Sequence, residues 1–131
     1  MAKKADRQRV SSGSPYEDIM GFTRAVRVGN RVLVSGTAPI WPDGSVNLDP
    51  KVQARRCFEI ISEALAEARA EMRHVVRTGM YITDPEVSEV VGAVHGEFFA
   101  EHRPASMMVV VAALLDKRWK VEIEVEAVID D

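Results

Sequence analysis

Cysteine is nearly absent from this chain, since Cys57 is the only one among 131 residues. A single thiol excludes an internal disulfide framework and is typical of a reducing compartment. Long apolar runs are lacking as well: no stretch reaches the roughly 20 residues that span a bilayer, and the first residues, MAKKADRQR, have no apolar core of a secretory signal. We therefore expect a cytoplasmic protein without a membrane partner.

An excess of basic charge is the next absence. The chain has 17 basic and 20 acidic residues, a formal net charge of -3, so nothing attracts it generally to nucleic acid. Glycine-rich phosphate loops and nucleophile elbows are missing. The histidines, His74, His95 and His102, are not spaced as a metal-ligand set. We expect no nucleic-acid partner, no metal and no cofactor, and a half-buried structural role for His95.

Apolar residues, by contrast, are plentiful enough for one core. They make up 47% of the chain, with 28% charged, which fits a single compact domain. Residues 1–13 are polar and basic and end in Ser-Ser-Gly, which predicts a flexible N-terminal tail. Residues 14–131 are predicted to form the single domain.

Hydrophobic spacing predicts alternating strands and helices. Residues 22–28 alternate between two faces, and Gly29-Asn30 turns the chain into a second strand. Helices are predicted to start at Asp49-Pro50 and at Asp84-Pro85, where Asp caps free amides and Pro fits the first helical position. A strand over residues 74–83 lies between the two helices.

The C-terminal part predicts two strands of unlike character. Residues 109–115 are apolar at every position, which a strand tolerates only when both sheet faces are covered. Residues 121–127 alternate strictly and place Glu122, Glu124 and Glu126 on one face. We expect these strands to form a hairpin. Because two helices cover only one face of such a sheet, we also expect an α+β fold whose second face is covered by self-association.

Several segments resemble those of the Rid family, also called YjgF-like or endoribonuclease L-PSP. They are VGNRVLVSG at 28–36, the first helix, MYITD at 80–84, GEFF at 96–99, the pair Pro104-Ala105 and VEIEVEA at 121–127. The resemblance covers residues 14–128. It implies a chorismate mutase-like α+β fold, with one mixed sheet and two helices on one face, assembled as a homotrimer with small-molecule pockets between subunits.

The resemblance also implies where a ligand binds. In family members that hydrolyse enamines and imines, an arginine after the Pro-Ala pair holds the substrate carboxylate with its two-pronged guanidinium, and Ser106 stands at that place. Phe22 falls at a pocket tyrosine and Gly92 at an asparagine. The Ser35-Gly36 turn is kept, and Glu124 resembles the catalytic glutamate that positions the attacking water.

Two further residues complete the predicted ligand-binding set. Met108 can fill irregular space beside a pocket, with core packing as the alternative. Arg24 lies on the same face of the predicted strand as the apolar Phe22 and Val26, which is an unusual position for a guanidinium. Either Arg24 holds an anionic ligand group in place of the missing arginine, or it reaches water or pairs with a carboxylate such as Glu124.

Together these residues predict a Rid-like protein of a subgroup without the carboxylate-binding arginine. It binds a small metabolite between subunits and does not hydrolyse 2-iminobutanoate or 2-iminopropanoate efficiently, because the Ser106 hydroxyl carries no positive charge. Two alternatives stay open. One is an active imine or enamine deaminase that uses Arg24 and Glu124. The other is a non-catalytic chaperone-like or regulatory module.

Overall fold

The computed structural model describes residues 7–130, which form one six-stranded mixed sheet with the long helices on one face. In chain order the elements are β1 (Arg7–Val10), α1 (Pro15–Met20), β2 (Ala25–Val28), β3 (Arg31–Thr37), α2 (Pro50–Glu67), β4 (Val75–Ile82), α3 (Ser88–Phe99), β5 (Ala105–Val110) and β6 (Val121–Val128). The strand order is β1-β2-β3-β6-β4-β5. Only β4 and β5 are parallel; the other neighbours are antiparallel. The predicted α+β class is confirmed.

α2 begins where the sequence predicts, whereas α3 begins at Ser88, three residues after the predicted Pro85. The Asp49 carboxylate accepts a hydrogen bond from the Lys51 amide at 2.8 Å, with Pro50 in the first turn. Asp84 caps the 3-10 turn Pro85–Val87, which leads into α3. The starts of α2 and of the 3-10 turn before α3 therefore follow from local Asp-Pro chemistry, whereas α3 itself has no side-chain cap at Val87. Among residues 7–130, no helix is both long enough and apolar enough to cross a membrane.

The core lies between the sheet and the pair α2 and α3. The buried stripe of α2 includes Ala54, Cys57, Phe58, Ile61, Ala64 and Leu65. The residues of β6 that meet this side are Val121, Ile123, Val125 and Ala127, each at most 4% exposed. Because side chains alternate along a strand, the three glutamates of β6 point to the opposite face.

That opposite face, called the open face below, is not covered by any helix of the described chain. Its members include Val26, Val28, Leu33, Tyr81, Met107, Val109 and the glutamates at 122, 124 and 126. Leu33 is 44% exposed and Met107 38% exposed. A partly apolar sheet face of this kind is typical of a surface that another copy covers.

The flexible-tail prediction for residues 1–13 is wrong for residues 7–10. These residues form β1, in which Arg7 is opposite Val28 and Val10 is opposite Ala25. Val10 is only 4% exposed. A four-residue strand with one apolar side chain gives too short an alternation to be recognised. Residues 1–6 of the predicted tail lie outside the described residues.

The predicted hairpin between the last two strands is also wrong. The apolar strand is Ala105–Val110 rather than 109–115, and Leu115 is 91% exposed in the connection that follows. β4, α3 and β5 form a crossover unit, which makes β4 and β5 parallel neighbours. β6 then takes the free side of β4, between β4 and β3. β5 is consequently an edge strand, and none of its residues is fully buried.

Candidate functional site

The predicted ligand-binding residues fall into two groups, to which the structure adds Glu122, Thr78 and His95, while the predicted catalytic Glu124 belongs to neither group. The charged half-site consists of Phe22, Arg24, Ser35, Gly36 and Glu122. The neutral half-site consists of Thr78, Gly92, His95, Ser106 and Met108. Two strands, β6 and β4, separate Ser35 and Gly36 on β3 from Ser106 and Met108 on β5, a distance of roughly 14 Å at about 4.8 Å per strand. Glu122 on β6 and Thr78 on β4 point to opposite faces of the sheet. A single chain does not bring them together.

A β-bulge shapes the charged half-site. Between the pairs Val34–Val125 and Thr37–Ile123, two residues of β3, Ser35 and Gly36, face a single residue of β6. The Ser35 hydroxyl donates to the Thr23 carbonyl at 2.6 Å. The Ser35 side chain is therefore held by backbone, which fixes the bulge.

Arg24 reaches into this bulge. Its Nη2 donates to the Gly36 carbonyl at 2.6 Å, while its buried Nε has no hydrogen-bond partner among the described residues. Burial lowers the pKa of the guanidinium, and the charges of Glu17 and Glu122 oppose that shift. Arg24 forms no ion pair within the described chain, with Glu124 or any other carboxylate. It therefore keeps donor capacity for another group.

Glu122 is the carboxylate that lies at Gly36. A Cβ on residue 36 would come within 2.5 Å of Glu122 Oε2, so a larger residue there would displace the end of this flexible side chain. Burial raises the pKa of Glu122, the positive charge of Arg24 lowers it and Glu124 raises it further. A half-buried carboxylate with a raised pKa can exchange a proton with a bound molecule.

Glu124, the predicted catalytic residue, has different neighbours. It accepts a hydrogen bond from the Tyr81 hydroxyl at 2.7 Å, which raises the pKa of that tyrosine. It also lies over Gly79, where a Cβ would be 3.1 Å from Glu124 Oε1. The carboxylate beside Arg24 and Gly36 is thus Glu122 rather than the predicted Glu124. Both share one parity of β6, so alternation cannot distinguish them.

The neutral half-site is a chain of hydrogen bonds from α3 to the sheet edge. Thr78 Oγ1 lies 2.8 Å from His95 Nε2 and 2.8 Å from Ser106 Oγ. Thr78 is fully buried, whereas Ser106 is exposed on β5. Burial lowers the pKa of His95, so the imidazole is neutral at pH 7. The half-buried, hydrogen-bonded His95 expected from the sequence is confirmed, but its link to Ser106 through Thr78 is new.

The apolar part of the neutral half-site is formed by Gly92 and Met108. A Cβ on Gly92 would have one neighbour within 4 Å, Met108 Cε at 4.0 Å. Space therefore remains between α3 and β5, with Met108 as one wall. Met108 itself is partly buried against the core, so both of its predicted roles, packing and lining, are compatible with its position.

Other reactive groups do not join either half-site. Burial raises the pKa of the Cys57 thiol strongly, and Cys57 lies in the core. Within residues 7–130, no three His, Cys, Asp or Glu side chains converge as a metal-ligand set. Two shallow surface depressions, beside Trp41 and beside Met72, contain no predicted site residue. An enclosed pocket at either half-site thus requires residues from another chain.

Sequence comparison matches the chain to one protein family. The model of the family described as Endoribonuclease L-PSP matches residues 14–129. The uncharacterized protein SCO2049 of Streptomyces coelicolor is 38% identical over 121 residues, which are 92% of this chain and 90% of that protein. The 2-iminobutanoate/2-iminopropanoate deaminase of Escherichia coli K12 is 32% identical over 111 residues, 82% of this chain and 86% of the deaminase.

Solved structures agree with this match. Rv2704 from Mycobacterium tuberculosis, described as a member of the YjgF/YER057c/UK114 family, has a TM-score of 0.87 and 40% identity, covering 95% of this chain and all of that one. TdcF of E. coli with bound serine has a TM-score of 0.79 and 28% identity, covering 98% and 100% of the two chains.

Proposed function

Because the chain belongs to the endoribonuclease L-PSP (YjgF/Rid) family, in which trimers are typical, we propose that it binds a small metabolite in a pocket between two subunits of a homotrimer. The charged half-site of one subunit then faces the neutral half-site of the next. We further propose that hydrolysis of 2-iminobutanoate and 2-iminopropanoate is weak, because Ser106 replaces the arginine that holds the substrate carboxylate.

The observation that carries this proposal is the separation of the two half-sites. Ser35 and Gly36 lie on β3 and Ser106 and Met108 on β5, with β6 and β4 between them. Glu122 of β6 points to the open face, whereas Thr78 of β4 points to the helix-covered face. The partly apolar open face, with Leu33 44% exposed, supplies a surface for self-association. Light scattering on the eluting protein should give a mass three times the 14.5 kDa of one chain. A monomeric protein that still binds ligands would contradict the shared pocket.

The proposed weakness of imine hydrolysis follows from charge. An arginine pairs with a carboxylate through two parallel hydrogen bonds and a full charge, whereas Ser106 offers one neutral hydroxyl. Its partner Thr78 is uncharged, and His95 behind it is neutral because burial lowers its pKa. The neutral half-site therefore supplies no counter-charge for a carboxylate.

An amino-acid oxidase assay tests this directly. The oxidase generates the imine, semicarbazide traps it, and a deaminase lowers the semicarbazone yield by removing the imine first. We expect the wild-type chain to leave the yield unchanged while the E. coli deaminase lowers it. Ser106→Arg should lower the yield, and Ser106→Gln, which adds length without charge, should not.

A second candidate function is an active deaminase that uses the charged half-site alone. The observation in its favour is the guanidinium of Arg24, whose buried Nε has no partner in the described chain and which lies near the Glu122 carboxylate. Arg24 would then hold the substrate carboxylate, with Glu122 or Glu124 positioning water. Wild-type activity in the oxidase assay that is lost in Arg24→Met would support this candidate over the first.

A further inference from the structure

We propose that the neutral half-site binds an uncharged polar group of the ligand, an amide or a hydroxyl, through Ser106 Oγ. The inference rests on the proposed function, because it specifies the ligand of that same pocket. Its basis is the Ser106–Thr78–His95 chain and the open space beside Gly92.

Thr78 is the unusual member of this chain. It occupies a core-facing position of β4, in line with the apolar Met80 and Ile82, and is 0% exposed. A buried hydroxyl costs free energy unless it is hydrogen-bonded. Thr78 meets that need with two side chains, His95 inside and Ser106 outside. The buried polar group thus connects the core to a hydroxyl on the sheet edge.

The hydrogen bonds that connect Ser106, Thr78 and His95 can run in either direction because all three groups are uncharged. If His95 Nε2 carries the hydrogen, it donates to Thr78, Thr78 donates to Ser106, and the Ser106 hydrogen is free for a ligand acceptor. If Nε2 is bare, Ser106 donates to Thr78, Thr78 donates to His95, and Ser106 can accept from a ligand donor. Ser106 can therefore either donate to or accept from a ligand.

An amide or a hydroxyl matches this property, since each both donates and accepts hydrogen bonds. A carboxylate only accepts, and it carries a charge that needs a cation. The nearest cation on β4, Arg77, points to the open face, opposite Thr78. Transfer of an unpaired carboxylate into a partly buried site is costly. The neutral half-site is therefore selective for the uncharged group.

The space beside Gly92 gives room for the body of such a ligand. Glycine inside a helix is less favourable than alanine, and no side chain of the described residues fills the gap that it leaves, since Met108 Cε is 4.0 Å from the position of a Cβ. The gap joins an apolar wall, Met108, to a single polar contact, Ser106. This combination is common in small-molecule sites.

Pyruvamide and pyruvate test the inference, because they have nearly the same shape and differ in charge. We expect calorimetric titration of the Arg24→Met assembly, whose charged half-site has no guanidinium to hold a carboxylate, to show pyruvamide binding at least about tenfold more tightly than pyruvate. Ser106→Ala should weaken pyruvamide binding by about two- to tenfold, as expected for one neutral hydrogen bond. Ser106→Arg should reverse the preference.

Thr78 and His95 are positioning residues, and their variants have a separate readout. Thr78→Val should reduce the pyruvamide-to-pyruvate affinity ratio although Ser106 is intact, and Thr78→Ser should restore it. His95→Gln, which keeps a neutral hydrogen-bonding group, serves if Thr78→Val does not fold. A merely structural role would lower the melting temperature without changing the ratio, and that result would overturn the role proposed for Thr78.

The outcomes separate the inference from the proposed function. Equal affinity for the two probes, or preference for pyruvate, in the Arg24→Met assembly overturns the inference and leaves metabolite binding intact. If neither probe binds the wild-type assembly, the inference and the proposed metabolite binding both fail.

Discussion

The two half-sites differ in how they use charge. The charged half-site holds the half-buried guanidinium of Arg24 near the carboxylates of Glu17 and Glu122. The neutral half-site connects Ser106 and His95 through Thr78 by hydrogen bonds between uncharged groups. Under the proposed function, a ligand between subunits meets ions at one end and neutral dipoles at the other. The pocket would then select molecules that have a charged group at one end and an uncharged polar group at the other.

This comparison assumes that the subunits assemble, and disrupting the assembly should have the largest effect on ligand binding. Leu33→Glu puts a charge at the 44% exposed leucine of the open face, beside Glu126, its neighbour in β6. Burying like charges between subunits is strongly unfavourable. We expect monomers by light scattering and loss of detectable probe binding, more than about tenfold in affinity.

Leu48→Glu is the matched control for this variant. Leu48 is also an exposed leucine, at 61%, but it lies in the loop before α2 rather than on the open face. It should remain assembled and bind as the wild type does. Monomers with unchanged probe affinity for Leu33→Glu would show that the half-sites act independently.

The fold is predictable from sequence wherever its cause is local. Asp-Pro caps mark the start of α2 and of the 3-10 turn before α3, and Gly29-Asn30 closes the β2–β3 hairpin as predicted, with Val28 opposite Arg31. The position of β5 depends on a crossover and on which side of β4 remains free. That choice is made by long-range packing, so local patterns in residues 105–128 could not reveal it.

The candidate site shows the same division. The Ser35-Gly36 turn follows from the family resemblance, whereas the choice between Glu122 and Glu124 needs the bulge opposite them. An extra residue in β3 shifts the register, so counting along β6 cannot tell which carboxylate reaches Gly36. The role of Thr78 could not be predicted for another reason: threonine is common in strands, and its two hydrogen-bond partners are distant in sequence.

Removing the Arg24 guanidinium should test what the charged half-site contributes to stability and to ligand binding. In Arg24→Met the Gly36 carbonyl loses its 2.6 Å donor and Glu122 loses its nearby positive charge. Because desolvation of the guanidinium is also relieved, we expect a net loss of about 1 kcal/mol in the free energy of unfolding. Binding of an anionic probe such as pyruvate should weaken more than that of pyruvamide.

Arg27→Met controls for the loss of an arginine that donates to backbone carbonyls, three residues along the chain from Arg24. Arg27 donates to the Gly29 carbonyl at 2.9 Å and to the Ala68 carbonyl at 2.8 Å, at the end of α2. Urea unfolding should show a similar loss of stability, with probe affinities unchanged. Equal effects of the two variants on binding would remove the distinction drawn for Arg24.

A smaller effect is expected from filling the neutral half-site. Gly92→Ala removes a helix-interior glycine and should raise the free energy of unfolding by about 0.5–1 kcal/mol, since the added methyl meets only Met108 Cε at 4.0 Å. The same methyl occupies the proposed ligand space, so pyruvamide affinity should fall. Gly96→Ala, in the same helix with nothing within 4 Å of a Cβ, should stabilise similarly without that fall. Equal pyruvamide binding in both variants would place the ligand elsewhere.

The smallest expected effect concerns the two carboxylates near Arg24, whose pKa values shift in opposite directions. Burial raises the pKa of Glu122 above its ordinary value of 4.5. Folded protein then binds this proton more tightly than the unfolded chain, so stability falls as pH rises from about 4.5 through the folded pKa. Hydrogen bonds from Ser12 lower the pKa of Glu17, so the contribution of Glu17 to stability is present above about pH 4.5 and is lost as pH falls through the folded pKa.

Glu122→Gln should therefore gain stability relative to wild type as pH rises, and Glu17→Gln should lose stability relative to wild type. Urea midpoints measured between about pH 3 and pH 7 check both signs, and parallel pH profiles of the two variants would mean that burial does not govern Glu122.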